Sequence, residues 1–274
     1  MAPVKSIFAM LAFGQVVLLF PKVAMAVQPT TNKFLVAHPA NATHTMAEVP
    51  RTQTAAPCQC EANDAKWAPP TRVVPRCIFI DLGAADGNSF NAFLTNNYGP
   101  VANCPSGKWE AYLVEANPRF VEPLGQLTAR FPSDVHVLST TAAYDCEGTT
   151  SFYLDTTSVQ HNFWGSSLSS THPDVQKSGM QKVNVQLMNL NRLLKEKTIA
   201  GDWVTVKMDI EGAEWDLLPC LAKADSASLI DRLYMEVHPG SLSMRGTTDP
   251  DFLAAKETLK QRGVDIPDYF SNTL

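Results

Sequence analysis

Carboxylates gather at two places in this sequence where an apolar run ends, and both places have the residue types of a ligand site. The first run, CIFIDL, has Asp81 next to its last residue and leads into the turn Gly83-Ala84-Ala85-Asp86-Gly87. Glycine permits a tight turn and a close approach of the backbone to a ligand. Asn88 follows at the start of a predicted helix, whose first N–H groups are free to bind. We therefore expect a binding loop here.

The second place is VKMDIEGAEW, residues 206–215, where Asp209, Glu211 and Glu214 lie within six residues. So many acids at a strand exit are unfavourable unless something there uses them. Glu236 and His238 are predicted to reach the same edge of the sheet. A carboxylate or histidine there could remove the proton of a substrate hydroxyl, which makes Asp209, Glu211 and His238 the catalytic candidates. The alternative is that these acids cap a helix and bind backbone amides.

The residues of the first loop, 83–87, distinguish between possible ligands. Glu115 ends the next predicted strand, where it can accept hydrogen bonds from both hydroxyls of a ribose, as in NAD or in S-adenosylmethionine. A dinucleotide loop needs G-x-G-x-x-G to hold a pyrophosphate, whereas Asp86 would place negative charge beside that group. The sulfonium and ammonium groups of S-adenosylmethionine would instead be attracted to Asp81 and Asp86. The loop favours S-adenosylmethionine and disfavours an NAD-linked oxidoreductase.

Two sets of polar residues allow more than one interpretation. Asp209, Glu211 and His238 could hold a divalent metal against a diol, although the sequence by itself assigns no metal ligand. A loop with His161, Trp164 and Ser166-Ser167 could form a substrate rim, because polar and aromatic loops suit sugar rings. A plain surface loop is the alternative.

Alternating strands and helices must position these residues. Strands are predicted at 77–82, 111–115, 135–138, 203–209 and 233–237, and helices after residue 88 and at 121–130, 215–221 and 252–262. The segments 141–144 and 150–154 are predicted to form a β-hairpin, and the second half of 185–195 is predicted to be helical. The alternation indicates an α/β fold with a doubly wound parallel sheet, in which ligands bind beyond the carboxyl ends of the strands.

With these motifs in order, the chain resembles the FkbM-type S-adenosylmethionine-dependent methyltransferases. IDLGAADG at 80–87 and VEANP at 114–118 are similar to the first two motifs of that family, and KMDIEGAE at 207–214 matches its most distinctive motif. Ala142-Ala143, Glu147-Gly148 and GSSL at 165–168 fall where its minor motifs fall. The resemblance covers about residues 77–240.

The resemblance implies a Rossmann-like class I methyltransferase fold and, in most known members, methylation of hydroxyls on sugars or small natural products. It implies an active-site position for Asp209 and fixes no substrate. The predicted cofactor-binding residues are Asp81, Gly83, Ala84, Asp86, Gly87, Asn88, Glu115, Ala116 and Ala142. The sequence departs from the family by having Ala85-Asp86 where Asn is frequent. Since it ends soon after Ile266, we expect a shortened C-terminal edge of the sheet.

The N-terminal residues have the features of a secretory signal. Lys5 precedes an apolar stretch at 7–20, and Ala24-Met25-Ala26 predicts cleavage after residue 26. An uncleaved signal anchor is the alternative. Residues 27–70 are predicted to be a flexible Pro/Thr/Ala-rich stalk with a glycosylation acceptor at Asn41, and residues 71–274 the methyltransferase domain.

Six cysteines support an oxidising compartment. We expect Cys58 and Cys60 to tie the end of the stalk to the domain, and a Cys77–Cys104 bridge is one candidate pairing. A cytosolic enzyme with reduced thiols is the alternative.

Charge narrows the partners. The 274 residues have a formal net charge of -5 and no dominant basic run, which argues against nucleic acid. The predicted function is O-methylation of a hydroxyl on a glycan or small metabolite in the secretory pathway, with S-adenosylmethionine as cofactor. Membrane contact is expected only for an uncleaved anchor. The alternative is a secreted binding protein that kept the fold and lost catalysis.

Overall fold

The computed structural model of the chain describes residues 55–98 and 109–269. The predicted signal, Asn41, most of the predicted stalk and Cys104 therefore lie outside the described residues. Within the described ranges, no helix is long and apolar enough to cross a membrane.

The predicted elements are found in nearly every case, with bounds that differ by a few residues. The strands are β1 (Cys77–Leu82), β2 (Trp109–Glu115), β3 (Val135–Ser139), β4 (Thr141–Tyr144), β5 (Gly148–Tyr153), β6 (Lys182–Asn189), β7 (Trp203–Met208) and β8 (Arg232–Met235). The helices are α1 (Asn88–Leu94), α2 (Val121–Arg130), α3 (Pro173–Lys177), α4 (Leu190–Lys197), α5 (Glu214–Leu221) and α6 (Asp249–Gln261).

Five parallel strands form the central sheet, in the order β3-β2-β1-β7-β8. The chain moves outward from β1 to one edge and later returns to the other side of β1. The strand order therefore reverses beside β1, and the carboxyl ends of β1, β2 and β7 open a crevice there. The predicted doubly wound α/β fold is confirmed.

Alternation along β1 divides the core between the two faces of the central sheet. Ile78, Ile80 and Leu82 pack in the cluster that includes α4, α5 and α6, whereas Phe79 packs with α1 and α2. All six residues of β1 are buried, as expected for a parallel strand covered on both faces. Burying each large apolar side chain contributes about 1.5–3 kcal/mol. The loop after β1 therefore starts from a firmly held strand.

The predicted hairpin of residues 141–144 and 150–154 is wrong. β6 lies between β4 and β5 in a separate three-stranded sheet, parallel to β4 and antiparallel to β5. The turn between β4 and β5 binds the N-terminal segment instead of closing a hairpin: the Asp145 carbonyl accepts from the Glu61 backbone N–H at 2.8 Å, and Cys146 is in a disulfide.

The N-terminal segment 55–70 is attached to the domain. Disulfides join Cys58 to Cys146 and Cys60 to Cys220. They confirm that both cysteines tie this segment down, and they are compatible with an oxidising compartment. Asp64 is buried and accepts a hydrogen bond from the backbone N–H of Ser226. Ordered structure thus begins before residue 71, inside the segment predicted to be flexible.

The C-terminal edge of the central sheet is short, as predicted. Among the described residues, the sheet ends at β8, and beyond it only Asp265 forms a single parallel bridge, to Arg232. The Leu233 backbone N–H donates to the Asp265 carbonyl at 2.8 Å. The strands that carry the acidic motifs are therefore complete even though the edge is reduced.

Candidate active site

A cavity of about 1170 Å³, including its open mouth, lies at the carboxyl ends of the central strands. Five of the predicted cofactor residues line it: Gly83, Asn88, Glu115, Ala116 and Ala142. The predicted catalytic residues Asp209 and Glu211 line the same cavity. The three motifs found in the sequence thus meet at one site.

The four other predicted cofactor residues are not among those that line the cavity. Asp81 and Ala84 are fully buried. Gly87 has φ +88 at the start of α1, and a Cβ there would lie 2.4 Å from Leu127 Cδ1. Asp86 Oδ1 accepts from the Asn88 backbone N–H at 3.2 Å. These residues shape the loop and support the residues that reach the cavity.

The loop after β1 packs directly on the exit of β7. Gly83 has φ +81, and a Cβ there would lie 1.9 Å from the Asp209 carbonyl oxygen. The Asp209 backbone N–H donates to the Leu82 carbonyl at 3.1 Å. Only glycine fits this close crossing, so the cofactor loop and Asp209 are positioned by one another.

Glu115 is buried at the end of β2. Its carboxylate accepts from the backbone N–H of Ala85 at 2.7 Å and of Asn117 at 2.6 Å. Burial raises the pKa of Glu115 to about 7, although these two hydrogen bonds act in the opposite direction. Each carboxylate oxygen has more than one acceptor position, so Glu115 can also accept from a bound molecule.

Lys207 is a buried cation of the site. In the sequence it was noted only as the first residue of the motif KMDIEGAE. Its Nζ lies 3.3 Å from Asp81 Oδ1 and 3.4 Å from Asp209 Oδ2, and it donates to the Gly83 carbonyl at 2.8 Å. Burial raises the pKa of Asp81 to about 6, against the opposing effect of Lys207. The lysine therefore connects the two acidic motifs.

His238 is surrounded by carboxylates. Its Nε2 lies 3.2 Å from Glu211 Oε2 and 3.9 Å from Asp209 Oδ1, while its Nδ1 lies 3.0 Å from Glu214 Oε1. Burial would lower the pKa of His238, but the hydrogen bonds to Glu211 and Glu214 raise it to about 11. The three predicted catalytic residues are thus brought together.

Glu214 is the carboxylate for which helix capping was the alternative interpretation. It is fully buried and accepts from the backbone N–H of Gly212 at 3.0 Å and of His238 at 2.8 Å. Its role is to close the turn before α5 and to hold His238.

His172 is a further member that the sequence did not indicate. Its Nε2 lies 3.0 Å from Glu211 Oε2, and its Nδ1 accepts from the Asp174 backbone N–H at 3.3 Å. Burial would raise the pKa of Glu211, but the hydrogen bonds from His172 and His238 lower it to about 2. Glu211 also has φ +52, a conformation that L-residues adopt at an energetic cost.

Part of the loop for which a substrate rim was one interpretation lies at the cavity. Phe163, Trp164 and Ser166 line the cavity, and Trp164 is 41% exposed, whereas His161 is absent from the lining. The Arg119 guanidinium lies 3.7 Å from the centre of the Phe163 ring, and Asn117 Nδ2 donates to Ser166 Oγ at 3.1 Å. These contacts fix an aromatic loop beside the site.

Comparison with known proteins agrees with this geometry. Neither a search of curated proteins nor a search of solved structures found a match. The family model of the Methyltransferase FkbM domain, however, matches residues 81–265. That range is more than half of the chain and contains β1 to β8 except for the first residues of β1, together with every residue of the cluster around His238. The chain therefore belongs to the FkbM methyltransferase family.

Proposed function

We propose that this methyltransferase transfers a methyl group from S-adenosylmethionine to a hydroxyl of a glycan or small metabolite in the secretory pathway. The observation that carries the proposal is the cavity itself, which joins Glu115 at the end of β2 to Asp209 and Glu211 after β7. The carboxylate of Glu115 suits the hydroxyls of a ribose, and the carboxylates of Asp209 and Glu211 suit a reacting hydroxyl.

We assign the donor's ribose to Glu115. Bound there, S-adenosylmethionine supplies a methyl group on a positively charged sulfur that is attached to the ribose C5′. Neighbouring strands are about 4.8 Å apart, so β2 and β7 on either side of β1 hold Glu115 and Asp209 within reach of one small molecule. Phe120, Ala142 and Leu168 supply apolar walls. A mixed acidic and apolar lining fits a cationic nucleoside.

The loop also argues against a dinucleotide. A pyrophosphate would need the first N–H groups of α1. Asp86 already accepts from the Asn88 backbone N–H at 3.2 Å and from Asn162 Nδ2 at 3.0 Å. Its carboxylate thus stands where the pyrophosphate would have to bind.

The acceptor is assigned to the other side of the cavity. The faces of Phe163 and Trp164 suit the apolar face of a sugar ring. Lys207 holds Asp209 Oδ2 at 3.4 Å, so Oδ1 is the oxygen that acts on the acceptor hydroxyl, either directly or through a bound ion. Methyl transfer needs the acceptor oxygen in line with the methyl carbon, so holding the acceptor supplies much of the rate.

Two independent features support the proposed compartment. The sequence predicts a secretory signal, and the two disulfides are suited to the oxidising environment of the secretory pathway. Acceptor and donor must then both be present there, which favours glycans.

The test is a screen of glycans and small hydroxylated metabolites with methyl-labelled donor, using the full chain secreted from a eukaryotic host. We expect label on one acceptor class, and Asp209→Asn to lower turnover by about 100-fold or more while donor binding is kept. Glu122→Gln, which removes an exposed acid from α2, is the matched control. If Asp209→Asn transfers methyl at the normal rate, the role of Asp209 is wrong. Failure of the wild-type chain to bind the donor at about millimolar concentration would instead favour the binding-protein alternative.

A further inference from the structure

Three potential ligand atoms converge at the cavity wall. His238 Nε2 lies 3.2 Å from Glu211 Oε2 and 3.9 Å from Asp209 Oδ1, and the three residues each offer one ligand atom within 4.8 Å of the other two. A cation about 2.1 Å from each ligand holds adjacent ligand atoms about 3 Å apart and opposite ones about 4 Å apart. Both separations from His238 Nε2 fall in this range, so a cation fits with small movements of side chains.

The imidazole is aimed by a buried partner. Glu214 is fully buried, and its Oε1 lies 3.0 Å from His238 Nδ1 and 2.8 Å from the His238 backbone nitrogen. With Nδ1 bound to this carboxylate, Nε2 is directed towards Asp209 and Glu211, and it releases its proton when a cation binds. A carboxylate on the far nitrogen of the ring is the usual outer partner of a metal-binding histidine.

The two carboxylates are also held from behind. Lys207 lies 3.4 Å from Asp209 Oδ2, the oxygen that does not face His238. Because His172 Nδ1 accepts from a backbone N–H, its Nε2 carries the proton and donates to Glu211 Oε2 at 3.0 Å. Asp209, Glu211 and His238 thus each have a hydrogen-bond or ion-pair partner behind them, as the ligands of first-row metals generally do.

One side of the cluster stays open. The side chains of Asp209, Glu211 and His238 are 21%, 18% and 14% exposed, and the two carboxylates line the cavity. Catalytic metal sites differ from closed structural sites in keeping such open positions for water or substrate.

We propose that Asp209, Glu211 and His238 bind a divalent cation, and that this cation holds the methyl acceptor through two adjacent oxygen atoms. The acceptor class is then a vicinal diol or an α-hydroxy carboxylate, in a sugar or a small metabolite. Two carboxylates and one imidazole suit Mn²⁺, Fe²⁺ or Zn²⁺ better than Ca²⁺, which prefers oxygen ligands alone. The identity of the acceptor rests on the proposed function, whereas the cation site does not.

The chemistry balances without a further reactant. The cation makes the hydroxyl of the acceptor more acidic, and the proton leaves to solvent. The oxygen forms a bond to the methyl carbon, the bond between that carbon and sulfur breaks, and its electron pair stays on sulfur. The products are a methyl ether and a neutral thioether.

The test uses Mn²⁺ alone as the probe, added to the secreted full chain after chelator treatment and removal of the chelator. Electron paramagnetic resonance measures free Mn²⁺, and we expect one bound ion per chain. Pulsed measurements should show modulation from a ¹⁴N nucleus, because His238 is a ligand. Absence of saturable binding, or binding without the nitrogen signal, would overturn the site.

Variants locate the ion. Asp209→Asn and Glu211→Gln keep the side-chain shape, and each should weaken Mn²⁺ binding by about 100-fold or more, since a ligand is lost. His172→Ala removes only an outer contact, so about tenfold is expected. Glu122→Gln should bind as wild type does. Thermal unfolding checks that each variant is folded, and unchanged Mn²⁺ affinity in folded Asp209→Asn would refute the assignment.

Activity separates this inference from the proposed function. If chelation abolishes methylation of a diol and Mn²⁺ restores it, the cation site and the proposed function are both supported. Methylation without any Mn²⁺ binding overturns the cation site and leaves the function intact. Mn²⁺ binding with the ¹⁴N signal, but no methyl transfer to any acceptor, supports the site and overturns the function. Methylation that chelation does not change overturns the role of the cation in holding the acceptor.

Discussion

If the donor's ribose binds Glu115 as proposed, donor binding depends on pH in a direction that follows from the pKa of this group. Burial raises its pKa to about 7 in the free protein, so near neutral pH a large fraction of the molecules carry a protonated Glu115. Ribose hydroxyls donate to the charged form, and binding therefore lowers the pKa and releases a proton. Affinity should be highest above pH 7 and should fall as the pH decreases through 7.

The size of the effect follows from the same pKa. If only the charged form binds, the affinity at pH 6.5 is about fourfold lower than at pH 8. Glu115→Gln keeps the shape but cannot ionise, so this pH dependence should vanish. Losing hydrogen bonds to a charged acceptor costs about 1.5–3 kcal/mol, and the variant should bind about 10- to 100-fold more weakly at pH 8.

Calorimetry with S-adenosylhomocysteine, which keeps the ribose and is not consumed, measures both quantities. Titrations in buffers of different ionisation enthalpy count the protons released, and about half a proton is expected at pH 7 in wild type but none from this group in Glu115→Gln. Asp81, whose pKa is raised to about 6, remains in the variant, so the comparison is made above pH 6. An equally steep pH dependence in Glu115→Gln would refute the assignment of the ribose.

Two further predictions concern how the site is held. Gly83→Ala should disrupt the loop and reduce methyl transfer, because its Cβ would lie 1.9 Å from the Asp209 carbonyl at φ +81. Gly125→Ala in α2 is the control: no atom lies near its Cβ, and the substitution should stabilise the fold by up to about 1 kcal/mol in urea unfolding. Equal stability of the two variants would contradict this prediction. Replacing both Cys60 and Cys220 by Ser opens a crosslink between residues 160 apart and should lower the free energy of unfolding by about 2–5 kcal/mol, whereas an unchanged urea midpoint would show that the N-terminal segment is held by other contacts.

The positions of the cofactor loop and of Asp209 could be predicted because they depend on local sequence patterns. A buried parallel strand reads as a continuous apolar run, and the carboxyl end of such a strand in a doubly wound sheet is where ligands bind. Asp81, Glu115 and Asp209 each end such a run. That was sufficient to place Glu115 and Asp209 at one cavity, with Asp81 directly behind it.

His172 and β6 could not be predicted in the same way. His172 precedes a short helix far from the acidic motifs in sequence, and only folding of the second sheet brings it to 3.0 Å from Glu211. β6 lies between β4 and β5, and the local turn signal at 145–148 favoured a hairpin. That turn instead contacts the N-terminal segment, which is distant in sequence.

The distribution of charge explains why the two acidic motifs need each other. In the protein without a bound ion, Asp81 and Asp209 share Lys207, and Glu211 and Glu214 share protonated His238, so each cation neutralises only one of the two acids that share it. The remainder is a negative site, to which Glu115 adds when it is ionised. A buried negative excess is unfavourable unless positive charge enters, and this is the condition that a cationic donor and a divalent ion both satisfy. Neutral or anionic ligands such as a pyrophosphate would leave that excess uncompensated, so charge and geometry select the same class of ligand.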